Sequence, residues 1–579
     1  MRILRVDLNR RSWRYQDLAA EDALLGGRGL TAAVLNQEVP AECDPLGPQN
    51  HLILACGALA GLSISSAGRL SIGAKSPLTG GIKEANAGGT AGEALAALGL
   101  RAVVLEGLLP EGQPSLLIIE ADGARFVDAS PYRGLGNFDL AQKLFADFGK
   151  DYSRLTIGQV GERGSTAAAI AVNDAEGRPS RMAARGGLGA VMGAKGLKAV
   201  LMSRKGREKP VPADRAAFQE SRKRFHQAVV GSERIEVLAK YGTASTMMLT
   251  NHLGGLPTRN FSAGSFEGAE ALSGEKLYEV ITARGGQGTP THACMEGCVI
   301  RCSNCFAGAD GREIVAPIEY ETLGMMGSNL GLDSLDAVAE LNFLCNDYGL
   351  DTIETGAALG VLAEAGLTAF GDAAGFIALV KEVAADTERG RLIAAGAAAA
   401  GEALGVKRVP VAKGQAVSAY DPRAVKGTGV TYATSPMGGD HTAGLTVFAA
   451  VDHHQAAGQA ALSQQMQAGR AGYDALGLCT FLQSAVGGRP GLIADLLNAA
   501  HGLALKADFL NALGRRVIST ELAFNERAGD ALAQPGLAGF FAQEKLGPDG
   551  LTFDIPPEEM ERLVADFRAA EPLKLGGSK

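Results

Sequence analysis

Four of the chain's eight cysteines, Cys294, Cys298, Cys302 and Cys305, fall within twelve positions in the stretch HACMEGCVIRCSNCF. Eight cysteines, clustered in this way, are too few for the disulfide framework of a 579-residue chain, and point instead to metal binding or redox chemistry in a reducing compartment. On a continuous helix the first three sulfurs would span roughly 12 Å, too far for one compact site. The segment must therefore curl, and Gly297 and Ser303–Asn304 are residues suited to a turn. Two chemistries fit. Four local thiolates make a structural zinc site, although zinc sites usually pair their ligands as CxxC and only Cys302 and Cys305 do so here. Three local thiolates with one distant partner hold an iron-sulfur cluster, and Cys479 in DALGLCTF is available as the fourth ligand.

The elements that must carry these residues change character along the chain. The first 200 residues hold short β-type runs such as LILACGALAG, RAVVLEGLL and RLTIGQV, and the opening MRILRVDLNRRSWRYQ alternates like an exposed strand. A charged segment at 203–215, SRKGREKPVPADR, reads as a linker. Beyond it, apolar residues recur at helical spacing in DRAAFQESRKRFHQAVV, from Asp333 to Cys345, in TGAALGVLAEAG, in AAGFIALVKEVAADTERGRLIAAGAAAAGEAL and through the last 100 residues. The expected fold is α+β. A sheet-rich domain (1–205) is followed by two mainly helical domains (206–405 and 406–579), with a cofactor between them. Glycine, 78 of 579 residues, is about twice its usual share of roughly 7%, as suits close backbone approach to a large polar ligand or simply many tight turns.

Several long motifs resemble the tungsten-dependent aldehyde:ferredoxin oxidoreductase family, in family order and over essentially the whole chain. They are GGRGLTAAVLNQEVP, SSAGRLSIGAKSPLTGGIKEANAGG, ARGGLGAVMGAKGLKAV, LPTRNF, CVIRCSN, EYETLGMMGSNLGLD, NDYGLDTIETG, AYDPRAVKGTGVTYATSPMGGDHTAG and DALGLC. The resemblance implies tungsten (or molybdenum) held by two pyranopterins, a 4Fe-4S cluster, and a Mg ion as an optional bridge between the pterin phosphates. Its cluster ligands correspond to Cys294, Cys298, Cys302 and Cys479. The first spacing is C-x3-C where well-known members have C-x2-C, and Cys305 stays open as a substitute fourth ligand. Its pterin contacts correspond to Arg69, Asn86, Gly88, Gly89 and Arg185. Without the resemblance these glycines say little, because GGLGAVMGAK misses both the dinucleotide and the P-loop spacing.

The family carries two D-x-x-G-L motifs, one per pterin. The second is intact as Asp474, Gly477 and Leu478, followed directly by Cys479. The first reads Asn346, Asp347, Tyr348, Gly349, Leu350, Asp351. The amide at Asn346 loses a charge, so that contact is weakened or Asp347 and Asp351 contribute. For the chemistry, the resemblance implies Glu321 as the group that takes a proton, His441 as hydrogen-bond partner of the aldehyde oxygen or the metal-oxo group, and Tyr320 in support. Adjacent His453 and His454 would diverge on a helix and read as structural.

The expected activity is oxidation of aldehydes to carboxylates, with electrons leaving through the cluster to ferredoxin or a partner iron-sulfur subunit. Alternatives are the same cofactors with another reaction, such as aromatic acyl-CoA reduction, and a noncatalytic four-cysteine zinc protein. A formal charge of −8 argues against nucleic-acid binding. No window approaches the roughly 18 apolar residues of a membrane span, and the N-terminus lacks a signal-peptide pattern, so a cytoplasmic protein without membrane insertion is expected. The E-x-x-H motif that bridges some family dimers is absent, so a homodimer stays open without that metal bridge.

Overall fold

The apolar runs of the first 203 residues become two six-stranded sheets in the computed structural model, which describes residues 1–205 and 210–576. The middle of the linker segment, 206–209, and with it the exact boundary between first and second domain, lies outside the described residues. The first sheet contains β1 (Arg2–Asp7), β2 (Ser12–Asp17), β3 (Leu52–Cys56), β4 (Leu70–Lys75), β5 (Ile82–Ala87) and β6 (Leu100–Glu106), in the order β2-β1-β6-β3-β4-β5. The second contains β7 (Ser115–Glu120), β8 (Gly123–Asp128), β9 (Tyr152–Thr156), β10 (Ile170–Val172), β11 (Arg181–Ala183) and β12 (Leu197–Ser203), in the order β11-β10-β9-β12-β7-β8.

Both faces of the first sheet are buried, which is why its inner strands read as unbroken apolar runs. Leu4, Leu54 and Val103 point to one side and pack with Leu117, Ile119 and Val200 of the second sheet. Ile3, Ile53 and Val104 point to the other and join the large core of the helical part. The expectation of an exposed first strand is corrected here: β1 lies between β2 and β6, and the edge is β2. The polar positions of β1 misled because Arg5 is buried but neutralised, its guanidinium reaching Glu38 and, at 2.7 Å, Glu106.

The helix Gly27–Glu38 covers the outer face of the first sheet and packs in turn on the helices Gln459–Ala475 and Phe509–Ala528. The remaining sequence is mainly helical, as expected. The long apolar stretch from 373 divides into Ala373–Ala384, Glu388–Ala395 and Ala397–Leu404, broken at Asp386 (φ 54°) and Gly396 (φ 96°). Ser303–Asn304, expected in a turn, instead open the strand Ser303–Ala307, which pairs with Thr289–His292. His453 and His454 lie in a loop rather than a helix, and His454 Nε2 is 2.8 Å from the Leu253 carbonyl. Among the described residues no helix is long and apolar enough to cross a membrane.

Candidate functional site

Residues from all three thirds of the sequence line a cavity of about 940 Å³. It receives Arg69, Asn86, Gly88 and Arg185 from the sheets, Cys294, Cys302, Tyr320 and Glu321 from the middle, Asn346, Leu350 and Asp351 beyond them, and His441, Asp474 and Cys479 from the last third. Cys298, Gly89, Gly349, Gly477 and Leu478 stand behind the wall.

Those five have positional reasons for their places. Gly349 and Gly477 each follow a helix, Leu335–Tyr348 and Gln459–Ala475, and turn the chain in the left-handed region at φ 79° and 65°. A Cβ would lie 2.9 Å from the Gly158 nitrogen at Gly349, and 2.8 Å from the Gly57 Cα at Gly477. Leu350 and the fully buried Leu478 anchor the chain after each turn. The two G-L pairs thus end helices and aim the residues around them. Gly89 (φ 92°) donates its N–H to the Cys294 carbonyl at 2.8 Å and so ties the glycine-rich strand end to the cysteine loop.

The cysteine loop curls at Gly297 (φ 71°). Cys298 lies 3.4 Å from Ser66 Oγ, and the Cys479 N–H donates to the Ser66 carbonyl at 2.8 Å, so one residue links the local and the distant thiols. A hydrogen bond with Cys294 lowers Cys298 below the usual thiol range, whereas burial raises Cys302, whose electrostatic neighbours include Cys479 and Cys298. Cys305 faces elsewhere, toward Arg178 and Glu313, and burial pushes it up to about 11. A tetrahedral zinc needs sulfurs about 3.8 Å apart. Among the described residues no three cysteine sulfurs lie within 4.8 Å of one another. The group that does meet this spacing, Asp174, Glu176 and His292, is already satisfied: Arg178 pairs with both acids and Arg181 donates to His292 Nδ1 at 3.0 Å.

Next to the thiols is a cradle of buried polar atoms without hydrogen-bond partners: Asn86 Nδ2, Glu84 Oε1, Arg185 Nε and Nη1, Asp351 Oδ2 and Arg470 Nε. Leaving such groups unpaired is costly, so the arrangement is that of a polar ligand's site. Arg69 joins the two regions. It donates to Asn86, and although burial opposes its charge, Cys479, Cys294 and Asp474 together raise its pKa. Asp351 accepts from the Ile353 N–H through one oxygen and keeps the other 3.4 Å from Arg185 Nη1. Asp347, the other candidate to replace the missing acid, faces away and accepts from the Phe138 N–H at 3.1 Å, at the start of helix Asn137–Phe148.

Glu321 and His441 meet in the same cavity, His441 Nε2 lying 3.3 Å from Glu321 Oε1. The Ala419 N–H holds Glu321 Oε2 at 2.8 Å, and Ser418 Oγ sits 2.9 Å from His441 Nδ1. Burial raises Glu321 from 4.5 to about 8 and lowers His441 from 6.5 to about 4. Near neutrality the pair is a protonated acid beside a neutral imidazole. In that state a Glu321 O–H faces Nε2, and Nδ1–H donates to Ser418 Oγ. Tyr320 donates its hydroxyl to the Ala419 carbonyl at 2.6 Å and packs on Tyr420, so it shapes the site through packing.

Other residues of the site carried no sequence signal strong enough to single them out. Asp440 is fixed by a buried 2.6 Å ion pair with Lys83, which acts with Arg185 against burial to keep it ionised, and its other oxygen accepts from the Thr442 N–H. Arg28 is bidentate to Glu521 and reaches Asp474 at 3.4 Å. Glu84, raised by burial to about 8, lies beside that acid. Arg470 stands one helical turn before Asp474, a spacing that puts both on one face and was visible in the sequence.

Family models described as "Aldehyde ferredoxin oxidoreductase, N-terminal domain" and "Aldehyde ferredoxin oxidoreductase, domains 2 & 3" match residues 3–204 and 220–569. A tungsten-containing aldehyde ferredoxin oxidoreductase of Thermococcus kodakarensis is 32% identical, with 95% of this chain and 92% of that protein covered. The Pyrococcus furiosus protein of the same name is 31% identical with the same coverage. The WOR-like subunit of an aliphatic sulfonate oxidoreductase from Pyrococcus furiosus is 27% identical over 89% of this chain and 84% of its own. Among solved structures, the active-site complex BamBC of benzoyl coenzyme A reductase with 1,5-dienoyl-CoA shares the fold at a TM-score of 0.78 and 19% identity, covering 98% of this chain and 93% of that one.

Proposed function

This chain belongs to the aldehyde ferredoxin oxidoreductase family and is a tungsten oxidoreductase, and from that premise we propose that it oxidises aldehydes to carboxylates and passes the electrons to ferredoxin or a partner iron-sulfur subunit. The observation that carries this reading is the Glu321–His441 pair, set in one cavity with the unpartnered polar cradle and the thiols. The donor set suits a pterin-bound metal: Asn86, Asp351, Asp474, Arg185 and Arg470 offer the amide, carboxylate and guanidinium groups that a pterin ring and its phosphate require. Cys294, Cys298, Cys302 and Cys479 would hold the cluster, and Arg69 would lie between the two. When bound, these groups supply the oxygen-transfer and two-electron chemistry and the electron relay.

The chain's own residues handle protons and position. The conversion RCHO + H2O → RCOO⁻ + 3 H⁺ + 2 e⁻ needs a donor near the carbonyl oxygen and a base for the protons that water and the aldehyde release. Burial favours the reverse of the roles expected from the sequence. Glu321, protonated below about 8, donates to the carbonyl oxygen, and neutral His441 is the acceptor. Asp440, locked by Lys83, fixes the turn that presents His441. Leu445, Phe448 and Phe481 supply an apolar end for the aldehyde's carbon chain.

Aldehyde-dependent viologen reduction by anaerobically purified holoenzyme tests the reading. Turnover with aliphatic or aromatic aldehydes is expected. Silence toward every aldehyde, with tungsten in place, would refute aldehyde oxidation and return the acyl-CoA alternative.

A further inference from the structure

One cation of the cavity belongs to neither the thiols nor the polar cradle. Arg234, second residue of the helix Glu233–Tyr241, lines the cavity on its apolar side. Its guanidinium lies 4.5 Å from the centre of the Phe448 ring, and among the described residues it has no hydrogen bond and no carboxylate within 4.0 Å. The acids of its own helix, Glu233 and Glu236, point to solvent, and the titratable group beside it is the neutral phenol of Tyr420. Tyr420 in turn lies 6.0 Å from the His441 ring and 5.1 Å from the Tyr320 ring. Arg69 and Arg470 also line the cavity without a salt bridge among the described residues, but both face the cofactor side, where their neighbours include Asp474 and Cys479.

We infer that the substrate of this site carries an anionic group besides its aldehyde, a carboxylate or a group of like charge, and that Arg234 is the residue that selects it. The inference rests on the proposed aldehyde oxidation and names its substrate class. A half-buried guanidinium against the Phe448 ring, in a wall that also holds Leu238 and Leu445, loses hydration that a ring face returns only in small part. A carboxylate is the complementary partner, because the planar fork accepts it with two hydrogen bonds. The rest of the molecule repels such a substrate, since the chain's formal charge is −8, so a local cation at the cavity is what draws it in. The carbonyl then reaches Glu321 and His441 while the anion stays one aromatic residue away, beside Tyr420.

The test compares succinic semialdehyde with butanal, its neutral counterpart, in holoenzyme and in Arg234→Gln and Arg234→Lys. Arg234→Gln should lower the ratio of the two kcat/KM values, semialdehyde over butanal, by roughly ten- to a hundredfold, and Arg234→Lys should restore most of it. Calorimetric binding of succinate to the holoenzyme should weaken by a similar factor in Arg234→Gln. A ratio and a succinate affinity that do not change would overturn the inference. If no aldehyde is oxidised at all, the proposed reaction falls, and the succinate arm alone decides: weakened binding upholds Arg234 as an anion site, and unchanged binding removes it.

Discussion

Replacing Glu321 by Gln probes the proton chemistry with little change of shape. The amide oxygen still accepts the Ala419 N–H at 2.8 Å, and the amide nitrogen takes the place of the oxygen 3.3 Å from His441 Nε2. The His441 approach is a 3.3 Å contact rather than a formed hydrogen bond, and what the amide loses is the transferable proton. Positioned acids contribute on the order of 10²–10⁴ in rate, and kcat/KM should fall by that factor. Wild-type activity should hold between the two pKa values, falling below about 4 as His441 protonates and above about 8 as Glu321 ionises. In Glu321→Gln the alkaline limb should vanish. Stability supplies a second reading. A carboxyl raised from 4.5 to about 8 stabilises the fold fully below 4.5, and that contribution is lost as pH rises through 8. At about 1.4 kcal/mol per pH unit this is on the order of 5 kcal/mol. Urea unfolding of metal-free protein should show wild type losing stability over this window and Glu321→Gln losing less. An activity that rises through pH 8, or a variant that keeps the alkaline limb, would refute the assignment and restore Glu321 as the base.

Five further substitutions address the cofactor residues and their neighbours. Cys305→Ser should retain about four irons per chain and the cluster's visible absorbance, and Cys479→Ser should lose both. Asp351→Asn should lower pterin content per folded chain, whereas Asp347→Ala, which removes only a carboxylate at a helix N-terminus, should cost about 1 kcal/mol in denaturant and leave pterin content alone. Gly477→Ala should cost about 1–3 kcal/mol, because its φ of 65° and the 2.8 Å approach to Gly57 exclude a side chain, and it should shift Asp474 and Cys479 enough to lower iron and pterin together.

The sequence was legible where residue type and spacing carry chemistry. The cysteine loop, the G-L turns and the Glu321 and His441 motifs each announce themselves locally, and the structure brings their reactive side chains to one cavity or directly behind its wall. It was silent where packing creates the property. Lys83 and Asp440 are 357 positions apart and become a buried pair only in the fold. The protonation proposed for Glu321 rests on burial by elements far along the chain, which EYET and GGDHTAG do not display. The choice between Asp347 and Asp351 depended on which way each side chain leaves a helix end. Arg5 made a buried strand look exposed because its partners, Glu38 and Glu106, are distant in sequence.

Metal and pterin analysis of anaerobically purified protein, with iron quantified in the same sample, tests the central claim most directly. The account predicts one tungsten, two pterins and about four irons per chain. Zinc alone, bound without pterin and unaffected by removal of Cys479, would contradict it.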